Sequence, residues 1–311
     1  MSYGYGYGYE PQGWRSPEPS SGPNPRLIAG LIMAVIAVVV WMFRAEVNPV
    51  TGKRQHIAMT VDEEMAIGLQ SAPEMAAKMG GVVDPRNDPR AEEVARVGRR
   101  IVDRSDASRS PYVKNFRFYL LNDPQTVNAF ALPGGPIFIT RALYEKLPDE
   151  AGLAGVLSHE IGHVVNRHAA EHMAQGQLGQ MLATAFGIGA SGQSREGGRN
   201  AIILANLVNN LTQLRFSRTD ESEADHYGLQ YMAEAGFDPS AMLDVMNVLK
   251  EASKGGNPPE FLATHPLPET RLQEIRATIQ QDYPHGIPSS LTRGDPLPQA
   301  GRRPMFGAFG R

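Results

Sequence analysis

Apolar and polar positions follow three regimes along the chain, and the first is an unbroken apolar run. Leu27–Phe43 (LIAGLIMAVIAVVVWMF) holds 17 residues without a charge. As a helix at 1.5 Å per residue this is about 25 Å, at the short end of what crosses a bilayer core. The run closes on Trp41, Met42, Phe43 and Arg44, not on the small-x-small pair of a cleaved signal peptide. Trp41 and Phe43 suit an interfacial belt and Arg44 the headgroups, so an uncleaved single-pass anchor is expected. Charge does not orient it, because Arg15 and Arg26 precede the run while Arg44, Lys53 and Arg54 follow it.

The second regime is periodic. Asp62–Met79 reads as a helix with Met65, Ile67, Leu69 and Met75 apolar and Pro73 interrupting, and Asp88–Val102 as another with Val94, Val97 and Ile101 on one face. Asn115–Leu121 alternates as a strand does, and Thr126–Leu132 and Pro136–Thr140 flank Pro133-Gly134-Gly135 as two strands joined by a tight turn. From Asp149 the period is helical. Asp149–Gln175 is expected as one long helix and Asn200–Ala235 as a second, ended by Gly236. Asp238-Pro239 opens a third. Between the long helices, Gly176–Arg199 is rich in Gly, Gln and Ser, too polar to cross a membrane, and placed to act as a lid. The third regime is the two ends. Residues 1–26, which open on the Tyr-Gly alternation Ser2–Glu10 (SYGYGYGYE), and residues 283–311, rich in Pro, Gly and Arg, are expected to be disordered tails. What remains is one mainly helical α+β domain over 46–282, with a small antiparallel or mixed sheet.

Composition narrows the chemistry. A net charge of -3 gives no broad basic surface for nucleic acid. There is no cysteine, which excludes disulfides, thiolate metal sites, a cysteine nucleophile and lipidated cysteine. Any metal must be held by imidazole and carboxylate.

The first long helix carries His159-Glu160-Ile161-Gly162-His163, an HExxH motif. At about 100° per residue, His159 and His163 sit roughly 40° apart on one face, so both imidazoles can reach one ion. Leu153, Leu157, Ile161 and Val164 form a stripe roughly opposite. Glu160 flanks the pair, where a base acting on a metal-activated water belongs. His168 and His172 are each nine residues beyond one of the pair, about 180° around a continuous helix. They are therefore read as outer or surface histidines; a second metal on them lacks an arranged carboxylate.

A catalytic zinc needs a third protein ligand. In Ser217–Asp225 (SRTDESEAD), Glu221 and Asp225 share a helix face. That spacing lets Glu221 ligate while Asp225 accepts a hydrogen bond from a ligand imidazole. Glu223, pointing about 200° away from Glu221, is the rival ligand.

HExxH, the SRTDESEAD segment and Asn128-Ala129-Phe130 followed by Pro133-Gly134-Gly135 together resemble the HtpX-like and CAAX-prenyl-protease-like zinc metallopeptidases (metallopeptidase family forty-eight). Among these the chain is most similar to the extracytoplasmic BepA-like and LoiP-like members. Asn48–Gly52, Met59-Thr60 and Asp62–Glu64 resemble the start of those domains. The resemblance spans about 46–282 and implies a gluzincin-type fold, one zinc on His159, His163 and Glu221 (not Glu223), and Asp225 bonded to a ligand histidine. It further implies that the Asn128, Ala129, Phe130 strand binds substrate backbone by strand addition, and that the catalytic domain lies outside the cytoplasm. His265, in Thr264–Arg271 (THPLPETR), is implied as a fourth zinc ligand or an oxyanion donor. The chain departs from HtpX in having no further convincing apolar span, and from BepA-type proteins in having no extra C-terminal repeat region. Partners of either are not carried over. The expected function is a membrane-anchored zinc endopeptidase acting on misfolded or membrane-associated polypeptides. Two alternatives are a non-catalytic, zinc-containing, chaperone-like module for unfolded polypeptides, and an anchored scaffold with an incidental HExxH. Substrate specificity and oligomeric state are not legible.

Overall fold

The computed structural model describes residues 25–43, 45–57, 59–176, 214–255, 258–266 and 269–299, with residues 1, 178 and 181. The Tyr-Gly segment, nearly all of Gly176–Arg199 and the expected helical residues 200–213 lie outside the described residues. An apolar helix, α1 (Pro25–Phe43), precedes the domain. Most of its side chains are exposed, Leu27, Leu31, Val35 and Phe43 among them, and Trp41 stacks on His56 at 4.0 Å. The apolar run within it is 17 residues long, about 25 Å against a hydrocarbon core of about 30 Å. Among the described residues, no helix is long and apolar enough to cross a membrane.

A hairpin of β1 (Ala45–Val47) and β2 (Arg54–His56) follows, then α2 (Val61–Lys78) and α3 (Pro89–Arg104). Thr60 and Glu63 close a capping box on α2, and Asp88 caps α3. Pro73 lies inside α2, exposed, without ending it. The expected interruption does not occur.

The sheet is mixed: β3 (Arg117–Leu121) runs parallel to β5 (Pro136–Thr140), which pairs antiparallel with β4 (Ala129–Ala131). The order β3-β5-β4 buries every residue of the central strand and leaves β4 at an edge. The turn between β4 and β5 demands glycine. Gly134 has φ 76°, and a Cβ there would lie 2.5 Å from the Met65 Cα.

After a short α4 (Arg141–Tyr144) comes α5 (Glu150–Val165), the helix that carries HExxH. All its residues are buried, so it is the axis of the core, not an amphipathic wall with one open face. Leu153, Leu157 and Ile161 join Val94, Val97 and Ile101 of α3 and Ile137 and Ile139 of β5 in one cluster. The expected single helix over Asp149–Gln175 breaks at Asn166-Arg167. Arg167 takes the left-handed φ of 57°, and residues 168–176 are again helical after the turn. Tertiary contacts hold this uncommon conformation: the Arg167 guanidinium donates to Glu64, to Glu46 at 2.9 Å and to the Met59 carbonyl at 3.1 Å.

The remaining helices are α6 (Arg218–Glu234), α7 (Ala241–Ala252), α8 (Glu260–Thr264) and α9 (Glu269–Asp282). The segment Leu214–Ser217 is not helical, and a Ser217–Asp220 capping box starts α6 there, so the helix does not run unbroken from Asn200. Before α7 the Asp238 side chain accepts from the Ser240 N–H at 2.8 Å, and the helix proper begins at Ala241.

Both ends of α5 are tied down by distant chain. Asn48 donates to the Val165 carbonyl at 2.7 Å, and Gln55 to that of Asn166. At the other end, Glu150 N–H donates to the Asp295 carbonyl at 3.0 Å and Ala151 N–H to that of Arg293 at 2.9 Å. These partners satisfy backbone groups that a helix leaves open at its ends. They also correct the expected tail. Through Leu297, which is buried, the chain beyond Tyr283 packs on the domain as a strap, with Arg293 bridging Asp149 and Asp244.

Candidate metal centre

The site lies where α5 and α6 touch backbone to backbone. A Cβ on Gly162 would stand 2.9 Å from the Ala224 carbonyl oxygen, and one on Gly228 would stand 3.3 Å from the His159 nitrogen. This approach brings Glu221 of α6 to the two histidines of α5. The loop after α8 adds His265. The four residues are buried, and one nitrogen or oxygen of each lies within 4.8 Å of all the others.

The separations fit one small cation. His159 Nε2 is 3.1 Å from His163 Nε2 and 3.3 Å from His265 Nδ1, and Glu221 Oε1 is 2.9 Å from His265 Nδ1 and 3.5 Å from His163 Nε2. A tetrahedron of ligands at zinc–nitrogen distances has edges of roughly 3.3 Å. The tautomers agree. His159 Nδ1 faces the Asp225 carboxylate at 2.9 Å and must donate to it, which leaves the Nε2 lone pair pointing inward. His163 is reached by a longer chain. Lys53 Nζ donates to Glu223 at 2.8 Å, and His168 Nε2 lies 3.2 Å from Glu223 and donates to it. A neutral His168 then accepts at Nδ1 from His163 Nδ1, 2.9 Å away, so His163 Nε2 also carries its lone pair inward. Two lone pairs face each other across 3.1 Å, an arrangement that a cation between them relieves. Burial keeps His163 well below the usual histidine range, in the neutral form a metal requires.

Arg271 of α9 closes the other side. Its guanidinium is 2% exposed and donates to Asp225 Oδ2 at 2.7 Å, Asp225 Oδ1 at 2.8 Å, Glu221 Oε2 and the Pro266 carbonyl. Burial pushes the Glu221 carboxyl up, but His265, His163 and Arg271 outweigh it and hold the group ionised. For Asp225, burial is likewise outweighed, by Arg271 and His159. Glu160 is the exception among these carboxylates. Burial raises it above the usual range, its Oε1 has no hydrogen-bond partner among the described residues, and His265 Nε2 lies 3.7 Å away. The Ala131 N–H of edge strand β4 reaches the same carboxylate.

A model of peptidase family M48 matches residues 88–279, which contain every residue of this cluster except the outer Lys53. The chain belongs to peptidase family M48. Among relatives of this M48 chain, the beta-barrel assembly-enhancing protease of Yersinia pestis is 34% identical over 253 residues, 78% of the chain and 49% of that protein. The beta-barrel assembly-enhancing protease of Escherichia coli (strain K12) is 31% identical over 272 residues, 85% of the chain and 54% of that protein. The mitochondrial metalloendopeptidase OMA1 of Schizosaccharomyces pombe is 31% identical over 268 residues, 83% of the chain and 75% of that protein. The M48 chain thus spans about half the length of the first two.

Of the residues singled out from sequence, His159, His163, Glu221 and His265 converge, Glu160 and Asp225 stand against them, and Glu223 lies outside, on Lys53 and His168. Asn128, Ala129 and Phe130 lie at or on the edge strand beside Glu160. His172 Nε2 pairs with Asp220 at 2.7 Å, and His168 Nε2 lies 4.0 Å from the same carboxylate and 3.2 Å from Glu223, so a carboxylate does stand between the two histidines, contrary to expectation. Sequence reasoning missed the direct contact of His168 with His163, because it assumed an unbroken helix, and gave Arg271 no role. Phe216, whose ring lies 4.0 Å from that of His163, had no signal beyond its place before the α6 cap.

Proposed function

We propose that this chain is a zinc-dependent endopeptidase whose ion is held by His159, His163 and Glu221, with His265 as a fourth donor that must leave for substrate. The observation that carries the reading is the converging set of four buried metal-ligating groups beside a buried glutamate whose Oε1 has no hydrogen-bond partner among the described residues. When bound, the ion supplies Lewis acidity, polarising the scissile carbonyl and acidifying the attacking water. The rest is the work of the chain. Glu160 takes the proton of the attacking water and passes it to the leaving amine; its raised pKa suits a base that must also act as an acid. Asp225 fixes the His159 ring, and His168 fixes that of His163. Arg271 keeps Glu221 and Asp225 ionised and in place. An extended substrate adds to the free edge of β4, its backbone aligned by Asn128, Ala129 and Phe130.

We further infer membrane attachment through Leu27–Phe43, with the catalytic domain extracytoplasmic, and action on misfolded or membrane-associated proteins. The exposed apolar side chains of α1 support the attachment, and the resemblance to the extracytoplasmic members of the family is the ground for the rest. A run of 17 residues can serve a thin or locally thinned bilayer. Cleavage of an unstructured protein by the full chain, abolished by chelator and restored by zinc, is the expected result. Chelator-insensitive cleavage, or none in zinc-loaded protein, overturns the enzymatic reading. Carbonate-resistant membrane retention that is lost on deleting residues 27–43 tests the anchor.

A further inference from the structure

We propose that the cavity between α2, β4 and the Leu214–Phe216 segment is a subsite that takes one apolar side chain of the substrate polypeptide and disfavours an acidic one. This rests on the peptidase reading and adds a specificity to it. The cavity holds about 130 Å³. Its apolar wall is built by Met75 of α2 and Met79 just after it, Phe130 and Leu132 at β4, and Leu214 and Phe216 opposite.

Three observations tie it to the reacting centre. His265 lines the cavity and is also one of the four converging donors. Phe216 lines it too, and its ring lies 4.0 Å from His163 and 5.2 Å from His265. Strand β4 contributes Phe130 from the same edge whose Ala131 N–H reaches Glu160. A chain laid along that edge therefore has a side chain at the cavity within about one residue of the bond facing Glu160, given a rise of roughly 3.3 Å per residue.

The chemistry of the wall selects the occupant. An apolar cavity of about 150 Å³ holds a benzene molecule, so this one matches a leucine, methionine or phenylalanine side chain. The two methionines, unbranched and polarisable, let its shape adjust among them. Beside this apolar surface, Asn128 is 4% exposed and its Oδ1 has no hydrogen-bond partner among the described residues. A peptide N–H is the donor that an extended substrate brings to it. The exposed Glu260 carboxylate is also on the lining and repels an acidic side chain.

The test uses labelled Gly/Ser/Thr peptides that differ only at one central position, Ala, Leu, Phe or Asp. Binding to the zinc-loaded full chain carrying Glu160→Gln is read by fluorescence anisotropy, and hydrolysis by the unaltered chain is mapped by mass spectrometry. Leu and Phe peptides are expected to bind roughly ten-fold or more tighter than Ala, with Asp the weakest and cuts within one residue of the variable position. Met79→Trp, or Leu214→Trp from the opposite wall, fills the cavity and should reduce the Leu-to-Ala ratio to about three-fold or less. A ratio taken within one protein is independent of how much of it is folded or loaded. Glu260→Lys should raise the Asp peptide relative to Ala. An unchanged Leu-to-Ala ratio in both tryptophan variants, or none in the parent, overturns the subsite. Graded binding without hydrolysis overturns the peptidase reading and leaves the subsite standing; hydrolysis indifferent to the central residue does the reverse.

Discussion

Arg271→Ala probes the electrostatic frame of the site. The guanidinium is 2% exposed and makes two bonds to Asp225, at 2.7 and 2.8 Å, a third to Glu221 and a fourth to the Pro266 carbonyl. Without it, two buried carboxylates lose their shared counter-charge. Breaking a buried pair from one side costs about 3–5 kcal/mol, a large part of a total of roughly 5–15 kcal/mol. At about 2–4 °C per kcal/mol for a domain of this size, the melting temperature of the metal-free protein should fall by roughly 6–20 °C. The assay is thermal and urea unfolding, followed by circular dichroism with chelator and with saturating zinc. The deficit should be smaller with zinc, because a dication also neutralises Glu221. The pH dependence has a defined sign. In the metal-free protein, Asp225 titrates below its ordinary value. Its stabilisation is therefore present above about pH 4 and is lost as pH falls through the depressed value. Removing Arg271 should start that loss at a higher pH. A deficit under about 1 kcal/mol, the range of an exposed pair, together with an unchanged acid transition, would refute the reasoning.

Two further substitutions test other parts of the frame. Glu221→Ala should abolish stoichiometric zinc, whereas Glu223→Ala, which acts only through His168, should keep it with affinity lowered by about ten-fold or less; metal analysis and competition with a chromophoric chelator separate them, and the reverse pattern contradicts the ligand assignment. Gly162→Ala places a Cβ 2.9 Å from the Ala224 carbonyl. It should cost about 1–3 kcal/mol by forcing α5 and α6 apart, and weaken zinc binding as Glu221 retreats; unaltered stability and affinity would show that the helices do not need to touch.

How much of this was legible follows from what each feature depends on. HExxH could be read because the convergence of His159 and His163 is local to one helical turn. Glu221 and Asp225 came from the same spacing argument, sharpened by resemblance to a family. The strands at 117–121, 129–131 and 136–140 declared themselves through alternation and the Pro133–Gly135 turn. What was lost depends on long-range contacts. Nothing near Arg167 in sequence requires a left-handed residue; Glu64 and Glu46 hold it there, and the resulting break is what brings His168 to His163. Arg271 likewise has meaning only through Asp225 and Glu221, 46 and 50 positions away. The strap after Tyr283 has the composition of a loop, which predicts a tail. Its role is to supply backbone acceptors to the start of α5, which composition does not reveal.

The central claim is that Glu160 is the proton carrier of a zinc peptidase, and its most direct test is Glu160→Gln in the full chain. Metal content and cleavage of an unstructured protein are measured on the same preparations. The expected result is about one zinc per chain in both proteins, with cleavage by the variant lower by roughly 10²–10⁴-fold. Undiminished cleavage by zinc-loaded Glu160→Gln protein would contradict it.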